Sequence, residues 1–131
     1  MDLFNITQEE REISSHGMLA LAHLGDSVYE LMVRTWLITS SDLTNQSMHN
    51  EALKYVSAEA QFDAFQRIKD ILSEEELDIV RRGRNARTKT VPKNVSHAKY
   101  HIATGLEALF GVLWLSGKHT RLNTLFEYIV R

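Results

Sequence analysis

The sequence predicts an all-α fold, and three observations carry that prediction. One proline and six glycines leave few breaks in 131 residues. Between those breaks the apolar residues recur at three- and four-residue steps, the period of a buried helix face. Charge is also ordered as a helix dipole prefers: Glu74, Glu75 and Glu76 open one segment, and Arg81, Arg82 and Arg84 close it.

The elements follow in order. Thr7 and Glu10 have the spacing of a capping box and predict a short first helix. The run MLALAHLGDSVYELMVRTWLI, residues 18 to 38, predicts one long helix with Leu21, Leu24, Val28, Leu31 and Leu37 on its apolar face. After the polar stretch TSSDLTNQS, residues 48 to 72 place Leu53, Val56, Ala60, Ala64, Ile68 and Leu72 at helical steps. A break near Ser57 would make this segment two helices, and one or two fit equally well. Ser73 and Glu76 form a second capping box. The glycine, asparagines and proline of GRNARTKTVPKN predict a loop. A further helix is expected from near Ser96 to near Gly117, and Thr120 is expected to cap the last one. Trp36, Phe62, Phe65 and Trp114 lie at core-like spacings and read as packing residues, not as a platform for bases. Residues 1–131 read as a single domain, long enough to bury a core without staples.

Composition excludes several kinds of chemistry. Without cysteine there are no disulfides, thiolate metal sites or cysteine nucleophiles, and the chain suits a reducing, cytoplasmic setting. The N-terminus MDLFNITQEEREI is too polar for a signal peptide, and Asp26, Glu30 and Arg34 interrupt the longest apolar run, so no membrane association is expected. A net charge of -2 and a pI near 6.3 argue against a uniformly basic nucleic-acid binder. The charge is nevertheless lopsided: of fifteen lysines and arginines, the six at positions 81, 82, 84, 87, 89 and 93 share an acid-free segment. Helix polarity accounts for the first three. Arg87, Lys89 and Lys93 call for another reason, and phosphate is the natural partner.

Gly25-Asp26 is out of place on a buried helix. Glycine costs a helix about 1 kcal/mol relative to alanine, and a carboxylate is almost never fully buried unless paired or bound to a metal. Glycine permits close approach by another backbone or a ligand, while the aspartate offers hard oxygen to a cation. The competing reading places Asp26 on the polar edge of an amphipathic helix. Glu107 repeats the pattern, with Gly105 two residues before it and Gly111 one turn after. If the two helices face one another, Asp26 and Glu107 can share one magnesium ion, with manganese suited to the same oxygens. Glu30 stands one turn after Asp26, and its simplest partner is Arg34 at i,i+4. His97 and His101 have the one-turn spacing of zinc ligands, but Ala98 stands where a zinc protease needs glutamate. They read better as phosphate contacts near the basic segment.

Four segments in order carry a family resemblance: LALAHLGDSVYELMVR (19–34), YVSAEAQ (55–61), the stretch 75–94 with IVRRGRNAR and VPKN, and TGLEALFGVLWL (104–115). Together they resemble the Mini-ribonuclease III family. The resemblance implies a dimeric helical bundle of the ribonuclease III catalytic type and magnesium-dependent cleavage of both strands of double-stranded RNA, usually precursor 23S ribosomal RNA. It implies Asp26 as the catalytic acid, Glu107 as its metal-binding partner, and Arg82, Arg84, Asn85, Arg87, Lys89 and Lys93 as RNA contacts. The longer ribonuclease III enzymes carry a glutamate four residues before the aspartate and an aspartate three residues before the later glutamate. Here Ala22 and Thr104 hold those places, as is usual in the Mini family, and Thr104 is a candidate to hold a metal-bound water. The missing acids motivate an alternative, a catalytically silent RNA-binding or ribosome-assembly module. Only 24 residues follow Glu107, so the dimer's own surface is expected to grip the duplex, with Gly111 and Trp114 as close-contact positions between copies.

Overall fold

A computed structural model describes residues 1–86 and 90–131. Seven α-helices make up the described fold: α1 Glu10–Ser14, α2 Met18–Ser40, α3 Asn45–Val56, α4 Ala58–Ile68, α5 Glu74–Asn85, α6 His97–Leu115 and α7 His119–Val130. A 3-10 turn, Lys69–Ile71, follows α4, and no strand occurs among the described residues.

Short polar side chains set most of the starts. Hydroxyls of Thr44, Ser57, Ser73 and Ser96 accept from the backbone N–H three residues on, at 3.1–3.2 Å, and so open α3, α4, α5 and α6. Each such cap is worth about 1 kcal/mol. Ser57 therefore decides between one helix and two over residues 48 to 72: there are two. Two expected caps differ. The first box is formed by Glu9 and Glu12, whose carboxylate accepts from the Glu9 N–H at 3.1 Å, so α1 begins later than Thr7 would place it. Thr120 lies inside α7, because the chain reverses tightly at Gly117 (φ 69°). There the Gly117 and Lys118 N–H groups return to the Trp114 and Leu113 carbonyls at 3.0 and 2.9 Å, a Schellman ending that starts α7 at His119.

Helix α6 is apolar on nearly all sides and runs through the middle, with α2, α4, α5 and α7 against it. Leu106, Leu109 and Phe110 are fully buried. The ring of Tyr29 from α2 meets Phe110 edge-on at 5.3 Å and Phe126 of α7 at 6.2 Å. Three of the four expected packing aromatics, Trp36, Phe65 and Trp114, pack against the core, Trp36 edge-on to Tyr55 and Phe126 and Trp114 edge-on to Phe4. Phe62 instead lies outside it under the Lys99 ammonium, 5.2 Å from the ring centroid. Leu31 and Leu53 depart from expectation, since both are about half exposed, and Ala52 and Gln61 take inward positions on α3 and α4.

One buried ion pair ties the C-terminal helix to the rest. Glu76 closes the α5 capping box by accepting from the Ser73 N–H at 2.8 Å, and it also accepts two bonds from Arg121 of α7, at 2.8 and 2.9 Å. Arg121 reaches on to the Ile71 carbonyl at 2.7 Å. Burial pushes the Glu76 carboxyl up, but the Arg121 and Ser73 hydrogen bonds outweigh it and hold the group below the usual carboxylate range. Arg121→Ala strands this charge and should lower stability in urea melts by about 3 kcal/mol at neutral pH. Because the folded value lies below the unfolded one, the pair's contribution is present at neutral pH and fades as acid protonates Glu76. Mutant and wild type should therefore converge in acid; an equal gap at pH 3 and pH 7 would contradict the ion-pair account.

Candidate active site

The acids meet because two glycines let two backbones touch. A β-carbon on Gly25 would stand 1.6 Å from the carbonyl oxygen of Glu107, and one on Gly111 would stand 2.1 Å from that of Leu21. No side chain can occupy either place, so α2 and α6 cross at Gly25 and Gly111. The neighbour of the first glycine, Asp26, is thereby carried to the side chain of Glu107. The close approach expected of Gly25 is thus to the backbone of α6. Gly111 serves the same crossing within the chain, which corrects its expected place between copies.

Both carboxyls are half-buried, and they lie against one another. Burial first, and the adjoining Asp26 second, push the Glu107 carboxyl up to about 9, so in the isolated chain Glu107 holds its proton at neutral pH. That is the mark of two acids sharing a space fit for one negative charge, which a divalent cation can relieve as well as a proton can. All the donor atoms are hard oxygen, the set magnesium and manganese favour, and the pair can supply the one or two carboxylates such an ion takes from protein. No group of three or more acids or imidazoles gathers in metal-binding reach among the described residues, so water and substrate oxygens would have to complete the shell.

The neighbours divide clearly. Glu30 is ion-paired with Arg34, one turn along α2. Thr104 is buried, and its hydroxyl donates to the Tyr100 carbonyl at 3.1 Å. Gln61 on α4 was missed by sequence reasoning. It is only 2% exposed, and its carboxamide reaches toward Glu107. A signal was there: Gln61, Ala64 and Ile68 follow one another at helical steps, so a polar residue stands on an apolar stripe. His97 is exposed, and its ring centroid is 6.3 Å from that of half-buried His101.

A second glycine crossing places the basic helix. A β-carbon on Gly105 would stand 2.3 Å from the Val80 carbonyl oxygen, and one on Gly83 would stand 2.8 Å from the Gly105 Cα. Helix α5 therefore crosses α6 two residues from Glu107, with Arg82, Arg84 and Asn85 exposed on its last turn. Asp78 pairs with Arg81 and, at 3.0 Å, with Arg82, whereas Arg84 has no acidic partner among the described residues. Lys93 is exposed ahead of α6; Arg87 and Lys89 lie outside the described residues.

Comparison with known proteins gives this arrangement its class. Residues 19–118 match the family model of the Ribonuclease III domain, a span that includes both acids and the arginine-rich end of α5. Ribonuclease III domains generally use a divalent metal, in keeping with the acid pair. The sequence is 47% identical to the Mini-ribonuclease 3 of Thermoanaerobacter sp. (strain X514), over 86% of this chain and 80% of that one. It is 32% identical to the Mini-ribonuclease 3 of Staphylococcus aureus, over 94% and 93%. The crystal structure of protein FN1578 from Fusobacterium nucleatum superposes with a TM-score of 0.79 at 26% identity, covering 88% of this chain and 92% of that one. The chain belongs to the Mini-ribonuclease III family and is an endoribonuclease. None of its described helices is long and apolar enough to cross a membrane.

Proposed function

We propose that this endoribonuclease is a magnesium-dependent homodimer that cuts double-stranded RNA in the cytoplasm and matures precursor 23S ribosomal RNA. The observation that carries the reading is the contact between Asp26 and Glu107 at the glycine crossing. The two acids would hold the cation, with the scissile phosphate supplying further oxygens. A bound magnesium ion would activate water for in-line attack and neutralise charge on the leaving oxygen, with manganese able to substitute. The products carry 5′-phosphate and 3′-hydroxyl ends.

Arg82, Arg84 and Asn85 at the end of α5, with Arg87, Lys89 and Lys93 after it, grip the duplex. Shape, phosphate and 2′-hydroxyl contacts dominate recognition of double-stranded RNA, and all of them suit basic side chains. The dimer is supported by α2, where Leu24, Leu31 and Ile38 follow at seven-residue steps and the last two are 51% and 65% exposed. An uncovered apolar stripe of this kind fits burial against a second copy. The 23S assignment rests on the family resemblance. Residues 1–131 act as one catalytic domain in this reading.

The deciding experiment incubates the protein with a duplex RNA and its single strands, with and without magnesium. Cleavage of the duplex alone, dependent on the ion, is the expected result; duplex binding without cleavage would establish the silent-module alternative. Replacing Arg84, Arg87 and Lys89 together with alanine should weaken binding and flatten its salt dependence, by roughly one unit of slope for each phosphate that is no longer neutralised. An unchanged slope would take the segment out of the interface.

A further inference from the structure

Gln61 is a polar group with no evident structural use. Its side chain is buried between α4 and α6, and its Nε2 finds no hydrogen-bond partner among the described residues. An unmade buried hydrogen bond costs about 1–3 kcal/mol, which methionine or leucine of similar volume would avoid. The next inward residues of α4, Ala64 and Ile68, are apolar and buried. What faces the carboxamide is the side chain of Glu107, close to hydrogen-bonding reach.

We propose that Gln61 is the positioning residue of the acid pair: its Nε2–H donates to the Glu107 carboxylate and keeps that carboxylate turned toward Asp26. The inference rests on the reading of Asp26 and Glu107 as cation-holding acids. Charge-assisted N–H bonds of this kind are about twice as strong as neutral ones. Partners that orient a metal ligand from behind typically contribute 10–100-fold to metal affinity. Gln61 would stiffen this two-acid site from a third helix.

The test compares Gln61→Met, which keeps the volume and removes the donor, with wild type. Manganese binding to the RNA-free protein is followed by electron paramagnetic resonance, alongside the magnesium dependence of single-turnover cleavage of a duplex RNA. Manganese should bind at least about tenfold more weakly, and half-maximal cleavage should need correspondingly more magnesium. The melting temperature without metal should be equal or higher, because an unsatisfied N–H has been removed. Gln61→Asn, which withdraws the N–H by one methylene, should show the same weakened cation response and serves if the methionine variant does not fold. Wild-type manganese affinity in a folded Gln61 variant overturns the proposal. If Asp26→Asn and Glu107→Gln also bind manganese like wild type, the acid-pair reading itself fails, which separates the two failures.

Discussion

Asp26→Asn should leave the fold and duplex binding intact and remove cleavage, by at least about a thousandfold, or ~4 kcal/mol of transition-state stabilisation. The substitution keeps the shape of the side chain and one of its oxygens. It removes the charge on which the proposed cation site depends. Binding should persist, because the basic end of α5 is untouched. Single-turnover cleavage with a parallel duplex-binding titration separates the two effects, and near-normal turnover would remove Asp26 from the mechanism. Loss of binding together with cleavage would show instead that the acid supports the RNA surface.

Gly25→Ala should damage the fold before any chemistry is reached. The new methyl group would lie 1.6 Å from a backbone oxygen of α6, so helices must separate, not merely side chains. Overpacking against movable side chains costs about 1–3 kcal/mol, and a collision with backbone belongs above that range. Urea midpoints should fall by the equivalent of about 3 kcal/mol or more, with activity lost in parallel as Asp26 leaves Glu107. Gly111→Ala meets the same crossing from the other side. The double variant should therefore cost less than the sum, since one opening accommodates both methyls. Gly17 is the control: a β-carbon there meets nothing within 4 Å, and alanine at that cap position should cost no more than about 1 kcal/mol. Equal effects at Gly17 and Gly25 would contradict the crossing.

Much of this was legible in the sequence because it is local. Ser57, Ser73 and Ser96 act within three residues of themselves, and the misfit of Gly25-Asp26 is visible on one helix. The pairing of Asp26 with Glu107 was legible only because both acids carried the same glycine signature. Gln61 was not singled out, since its meaning lies on α6, 46 residues away in the chain. Nothing in the sequence around Arg121 points to its partner; only the fold shows that it is Glu76, already a cap. Leu31 and Leu53 mark the opposite limit. Periodicity says which residues are apolar, not whether the rest of the chain covers them.

Helix α6 touches α2 and α5 backbone to backbone, at two glycine pairs on either side of Glu107. Contacts without side chains have no rotamers to give way, so the span from the arginine-bearing end of α5 to the acids is rigid in the manner of a gauge block. If, as proposed, the end of α5 grips phosphates and the acids cut, that span is a caliper. The cut should then fall a constant distance along the duplex from those phosphates, whatever the bases between; alanine at Gly105, whose β-carbon would stand 2.3 Å from the Val80 carbonyl oxygen, should part α5 from α6 and cost stability as alanine at Gly25 does.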